Sequence, residues 1–160
     1  MLYQYRITKY DPSRRNISGA YLDDDWTSRS DIGREFGGVE LTQRRYLEVE
    51  QAYIDVASAF LQEAHIQCLR VKGLENQTPS ATVPMEGCEV AASAVSPVLR
   101  GLLREEFWCK LESPIAFIHV GWDFYMYIGV PSRCEDTEEF ARKAGLFPEV
   151  FSSPYFSNEA

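Results

Sequence analysis

The chain has 160 residues, 45% of them hydrophobic and 13% aromatic, with a net charge of −8. That is enough for one domain burying roughly two thirds of its unfolded surface, and too apolar for a disordered chain. No apolar run approaches the ~20 residues of a membrane span and no basic-then-apolar signal segment opens the chain, so a soluble cytoplasmic protein is expected, with no membrane partner.

Leu2 to Tyr10 alternates, with Tyr3, Tyr5 and Ile7 on one face, and predicts a strand. Asp11-Pro12-Ser13 is turn chemistry, and Ile17 to Leu22 is a candidate return strand. Asp23-Asp24-Asp25-Trp26 follows. Ser30 fits the N-cap of a short helix through Phe36, closed by Gly37-Gly38. Thr42 then caps the longest helix, 43–64, whose apolar stripe is Tyr46, Val49, Tyr53, Val56, Ala57, Phe60 and Ala64. Ile66 to Val71 predicts a strand, and the polar, proline-bearing run 73–86 an exposed loop. Glu89 to Glu106 is helical in character, either as one helix kinked at Pro97 or as two pieces meeting there.

Phe107 to Val130 is the densest apolar stretch. Ser113-Pro114 and Gly121-Trp122-Asp123 divide it into strands at Phe107–Glu112, Ile115–Val120 and Phe124–Val130, an antiparallel meander. Glu135 to Gly145 predicts a short helix capped by Asp136 or Thr137. The aromatic tail from Leu146 should pack across the surface and fray after Phe156. The sum is a single α+β domain: a mixed or antiparallel sheet of about five or six strands with helices packed on at least one face.

The charge is uneven. Residues 1–47 carry eight Lys and Arg against seven Asp and Glu, whereas residues 48–160 carry eight against seventeen. Such a surface disfavours nucleic acid and suits a basic protein partner. Cys68, Cys88, Cys109 and Cys134 form no C-x-x-C pair, so they read as free thiols, with neither a zinc site nor a disulfide framework. Asp23, Asp24 and Asp25 lack the spacing of a calcium loop. No phosphate-binding glycine loop and no hydrolase motif occurs, and no cofactor is indicated.

Cys109, His119 and Asp123 fall on neighbouring strands, and a thiolate–imidazole pair there would support a small hydrolase or transferase. The other signal is aromatic. Trp26 beside three aspartates, and Trp122 beside Asp123, have the composition of contact hot spots flanked by charge. Asp23, Asp24, Asp25 and Trp26 are expected to form an exposed anionic contact with an aromatic anchor. The acidic helix with Glu135, Asp136, Glu138 and Glu139 is the next candidate. A further possibility is a structural protein that oligomerises through the tyrosines of the third meander strand.

The segments YRITKYDPSRRNISGAYLDDDWTSRSDIG, LREEFWCKLES and GWDFYMYIG resemble a group of small bacterial proteins of unassigned activity. Their size and acidity are similar to those of the immunity proteins of contact-dependent and polymorphic toxin systems. The resemblance implies a non-enzymatic protein that neutralises a cognate toxin domain, often a basic nuclease, by binding it.

Overall fold

The structure, a computed structural model, describes residues 1–75 and 83–156. In chain order its strands and helices are β1 (Tyr3–Thr8), a separate hairpin of β2 (Glu35–Phe36) and β3 (Val39–Glu40), α1 (Gln43–Glu63), β4 (Cys68–Glu75), β5 (Glu89–Ala91), α2 (Ser96–Leu103), β6 (Trp108–Ser113), β7 (Ala116–Val120), β8 (Met126–Val130), α3 (Glu135–Lys143) and β9 (Phe147–Val150). Seven strands form one antiparallel sheet in the order β5-β4-β6-β7-β8-β1-β9. The fold is α+β, with helices packed on the sheet, and the meander β6-β7-β8 lies at its centre.

Residues opposite one another in an antiparallel ladder share a face. Leu111, Ile118, Ile128 and Tyr5 stand in one row across β6, β7, β8 and β1. All four are buried, and the Tyr5 ring lies 4.7 Å from that of Phe60 on α1. The stripe Tyr46, Val49, Tyr53, Val56, Ala57 and Phe60 is buried throughout, and Thr42 accepts from Arg45 N to cap the helix. Each of these large side chains contributes roughly 1.5–3 kcal/mol through removal from water.

The neighbouring row, Lys110, His119, Tyr127, Arg6 and Glu149, faces the other way. Chain 151–156 crosses this second face after β9. Phe156 stacks on Phe117 at 5.0 Å, Tyr155 meets Trp108 at 5.5 Å, and Phe151 lies 4.0 Å from the Arg6 guanidinium. Ser153 N donates to the Gln4 side chain at 2.8 Å. Gly129 makes room here: a Cβ on it would sit 2.3 Å from the Phe117 ring. The tail thus packs across the surface as its composition predicts; residues 157–160, where fraying is expected, lie outside the described residues.

Several local expectations are corrected. Ile17–Leu22 is not a strand; among the described residues it makes one isolated bridge, Arg15 to Tyr21, and Ile17 and Leu22 point to solvent. The helix expected from Ser30 to Phe36 is a single tight turn, Arg29–Asp31, followed by the β2–β3 hairpin. Gly37 and Gly38 both take positive φ, 59° and 82°, so this pair is a hairpin turn and not a helix stop. The strand expected at Ile66–Val71 starts at Cys68 and runs on to Glu75, into the expected loop, whose residues 76–82 lie outside the described residues. Glu89–Ala91 is a strand because Val90 pairs with Leu69 and fills the core; only Ser96–Leu103 is α-helical, with Pro97 in the first turn, where no backbone N–H is required. The edge strands β5 and β9 raise the count from about five or six to seven.

The cap of α3 also differs. Neither Asp136 nor Thr137 caps it from within. The Glu63 carboxylate, at the end of α1, accepts from Asp136 N at 3.2 Å, from Thr137 N at 2.9 Å and from the Thr137 hydroxyl. An anion from another helix satisfies the free N–H groups and complements the dipole, which fixes α3 against α1.

Candidate functional site

The Asp23–Trp26 segment is not an exposed anionic contact with Trp26 as its anchor. Trp26 is 6% exposed and packs edge-on to Tyr46 and Phe124 at 5.5 and 5.1 Å. Asp25 lies 2.9 Å from the Lys9 ammonium, and that ammonium sits 4.1 Å from the Trp26 ring and 4.3 Å from the Tyr10 ring. Asp23 takes two hydrogen bonds from Arg14, at 2.7 and 3.1 Å, which hold its carboxyl below the usual range. Asp25 is thus half-buried on Lys9, whereas Asp23, paired with the exposed Arg14, and Asp24 both remain at the surface.

The second tryptophan is displayed. Trp122 is 67% exposed, at the tip of the turn between β7 and β8, and Asp123 beside it is exposed as well. Asp123 and Phe124 have φ of 63° and 64°. Two consecutive non-glycine residues in the left-handed region are strained and persist only where their surroundings hold them. Two buried tyrosines supply that hold: Tyr10 Oη donates to Asp123 O at 2.7 Å, and Tyr53 Oη donates to Phe124 O at 2.8 Å. Phe124 is thereby turned into the core and Trp122 outward, above a shallow depression shared with Glu105, Phe107 and Trp108.

Tyr10 also ties the acidic loop to this turn. Its hydroxyl lies 3.3 Å from Trp26 O, and its ring packs on Tyr21 and Tyr125 at 5.0 and 5.6 Å. Arg15 donates to Tyr125 Oη at 2.8 Å and to Gly19 O at 2.9 Å, so loop 15–22 is seated beside β8. Asn16 Oδ1 accepts from Ser18 N, Ser18 Oγ and Ala20 N and stiffens the loop tip. One connected pair of loops thus carries Ile17, Leu22 and Trp122 as exposed apolar groups, with Asp24 and Asp123 as exposed carboxylates. Ile17, Leu22 and Glu105 carry no composition signal of their own; the Asn16-x-Ser18-Gly19 turn chemistry was the available clue.

On α3, Glu135, Asp136 and Glu139 are exposed, but Glu138 is buried and accepts from Arg133 Nε at 3.0 Å. Glu138 is a structural partner of Arg133 rather than part of an open acidic surface.

Cys109, His119 and Asp123 do not converge. Lys110 pairs with His119, so Cys109, one residue earlier, points through the opposite face, toward the helices. Cys109 is fully buried and burial pushes its thiol up to about 12. His119 Nε2 lies 2.8 Å from Glu112 Oε1; a carboxylate accepts, so Nε2 carries the proton and Nδ1 accepts from Ser153 Oγ at 2.8 Å. Burial lowers His119 to about 4, with Glu112 opposing, so the ring is a neutral clamp on the tail. The tyrosine face proposed for oligomerisation is covered at Tyr127, which lies under Phe151 and Tyr155.

A second concavity, a cleft of about 250 Å³, opens between the β2–β3 hairpin, α1 and the α3–β9 connection, with Lys9, Asp25 and Trp26 among its lining. Among the described residues no group of three His, Cys, Asp or Glu side chains could hold a metal ion, and no helix is long and apolar enough to cross a membrane. No protein-family model matches the chain, and no curated protein or solved structure matches it.

Proposed function

We propose that this is an acidic binding protein of the immunity type, which neutralises a basic toxin domain by docking on the loops that carry Trp122. The observation behind this reading is the strained turn: backbone strain held by two buried tyrosine hydroxyls keeps a large aromatic side chain in water. A preorganised exposed tryptophan loses little entropy on docking and is a favoured hot-spot residue. Asp24 and Asp123 add the long-range attraction that speeds encounter with a basic surface, and Ile17 and Leu22 add apolar contact.

The test is calorimetric titration of the protein with the C-terminal domain encoded by the gene immediately upstream of its own. A tight complex is expected. Trp122→Ala should weaken it by roughly 30-fold or more, and Asp24→Asn with Asp123→Asn should slow association and flatten its salt dependence. Absence of any complex with the unaltered protein sinks the reading; a complex indifferent to all three substitutions moves the contact elsewhere.

A further inference from the structure

Beside the Trp122 turn, the connection from α2 to β6 brings a second left-handed residue to the surface. Glu105, with φ of 58°, is exposed, as is Asp123, with φ of 63°. Glu105 and Trp122 border one notch, whose floor is Leu102, Phe107 and Val120. Among the described residues neither carboxylate is engaged. Arg104, the cation next to Glu105 in the chain, gives its bonds to Glu50 on α1, and Asp123 accepts from Tyr10 through its backbone carbonyl alone. Lys110, the nearest cation on β6, stands opposite His119 on β7.

The notch holds only about 20 Å³, room for about one water, so it encloses no small molecule. What docks here lies across it, on the open Trp122 ring. The platform is fixed from below: Trp108 Nε1 donates to Val120 O at 2.8 Å, and the Trp108 ring packs on Tyr155 at 5.5 Å. We propose that this platform seats an arginine side chain of the partner, its guanidinium flat on the Trp122 indole and its N–H edge toward Glu105 and Asp123. The inference rests on the binding function proposed above and names the partner group that the site takes.

The core of the same molecule supplies the template. At Trp26, the Lys9 ammonium lies 4.1 Å from the indole ring and 2.9 Å from the Asp25 carboxylate, so ring, carboxylate and cation form one set. At Trp122 the chain provides the ring and two carboxylates, and among the described residues no cation faces them. The indole quadrupole attracts a cation more strongly than the other aromatic rings do, and the carboxylates repel an anion. Arginine fits better than lysine. Its planar guanidinium stacks on a ring while its fork of donors reaches a carboxylate, whereas the ammonium of lysine is compact and more strongly hydrated.

The 160-residue chain, isotope-labelled at nitrogen, gives one indole N–H resonance for each of its 3 tryptophans, and Trp122→Phe identifies that of Trp122. The chain is titrated with N-acetyl-arginine methylamide and, separately, with the neutral isostere N-acetyl-citrulline methylamide. The Trp122 signal should move roughly two- to fivefold more steeply with the arginine compound, the factor that a surface cation–π contact implies. The buried Trp26 should stay still. Glu105→Gln with Asp123→Asn should bring the arginine slope down to the citrulline one, and asparagine is tolerated in left-handed backbone. Equal slopes for the two compounds on the wild-type protein overturn the proposal, and so does an arginine slope untouched by the double substitution. A second arm uses the basic domain encoded upstream, with each of its arginines changed to alanine in turn and measured against both wild-type and Trp122→Ala protein. One arginine should weaken the wild-type complex by roughly tenfold and have little further effect once Trp122 is gone. A complex in which no arginine couples to Trp122 overturns the proposal. Absence of the complex, with the arginine-specific shift intact, removes the immunity reading and leaves the arginine seat standing.

Discussion

Asp25-Trp26 and Trp122-Asp123 are near mirror images in sequence, yet one tryptophan is part of the core and the other stands in water. What separates them is what the surrounding chain offers. Lys9 gives Asp25 a counter-ion and gives the Trp26 ring a cation at its face, while Tyr46 and Phe124 complete an aromatic slot. Trp122 has no such slot, because the residue turned inward from its own strained turn is Phe124, and Phe124 is one wall of the slot that holds Trp26. The two loops are one assembly joined at Tyr10. Burial of one tryptophan and display of the other are coupled outcomes.

The largest test of this contrast is stability. Trp26→Ala should cost roughly 3–5 kcal/mol in urea unfolding, through the cavity it leaves, whereas Trp122→Ala should stay within about 0.5 kcal/mol. Equal effects would break the comparison.

Next in size is a pH effect confined to the buried loop. Burial lowers Lys9 from 10.5 to about 8, so between those values the unfolded chain binds more protons than the folded one. Stability due to this group therefore rises as pH increases from about 8 toward the unfolded value, by roughly 3 kcal/mol in full. The buried thiols of Cys109 and Cys134, raised to about 12 and about 11, act in the opposite sense above pH 9, as do the raised tyrosines. The wild-type curve minus that of Lys9→Met isolates the lysine, and the difference should climb between pH 8 and 10. A flat difference would mean that Lys9 is solvated in the folded protein.

Tyr10→Phe should be smaller, a loss of about 1–2 kcal/mol from leaving the Asp123 carbonyl without its donor. Its sharper readout is hydrogen exchange, which should quicken at Trp122 to Tyr125 and in the Asp23–Trp26 segment together. Acceleration in only one of the two would show that Tyr10 does not couple them.

The smallest effect has an informative sign. Asp123→Gly relieves a left-handed residue and should gain about 1 kcal/mol in thermal unfolding. If the turn is a docking site, the same variant should bind its partner less well despite being more stable. A variant that is both more stable and an equal binder would assign the strain to something other than contact.

The sequence was most legible where one physical signal acted alone. The α1 stripe and the Thr42 cap could be read from spacing, and the Ser113-Pro114 and Gly121-Asp123 breaks delimited the meander to within a residue or two, because apolar periodicity and turn chemistry are local properties. Local signals failed where two structures share one composition. Gly37-Gly38 stops a helix or turns a hairpin equally well, and Glu89–Ala91 scores as helix until Leu69 arrives to pair with Val90. For the candidate sites, the residue types were legible but their directions were not. Cys109 and His119 lie on adjacent strands and were separated only by the ladder register, which points them through opposite faces of the sheet. Asp25 and Trp26 looked like surface residues until folding placed Lys9 against both, since a charge enters the interior only with a partner that the rest of the chain must supply. Composition and periodicity thus determined the class of fold and its central strands; register and long-range pairing, which no short window contains, decided which tryptophan stands in water and which is buried beside Lys9.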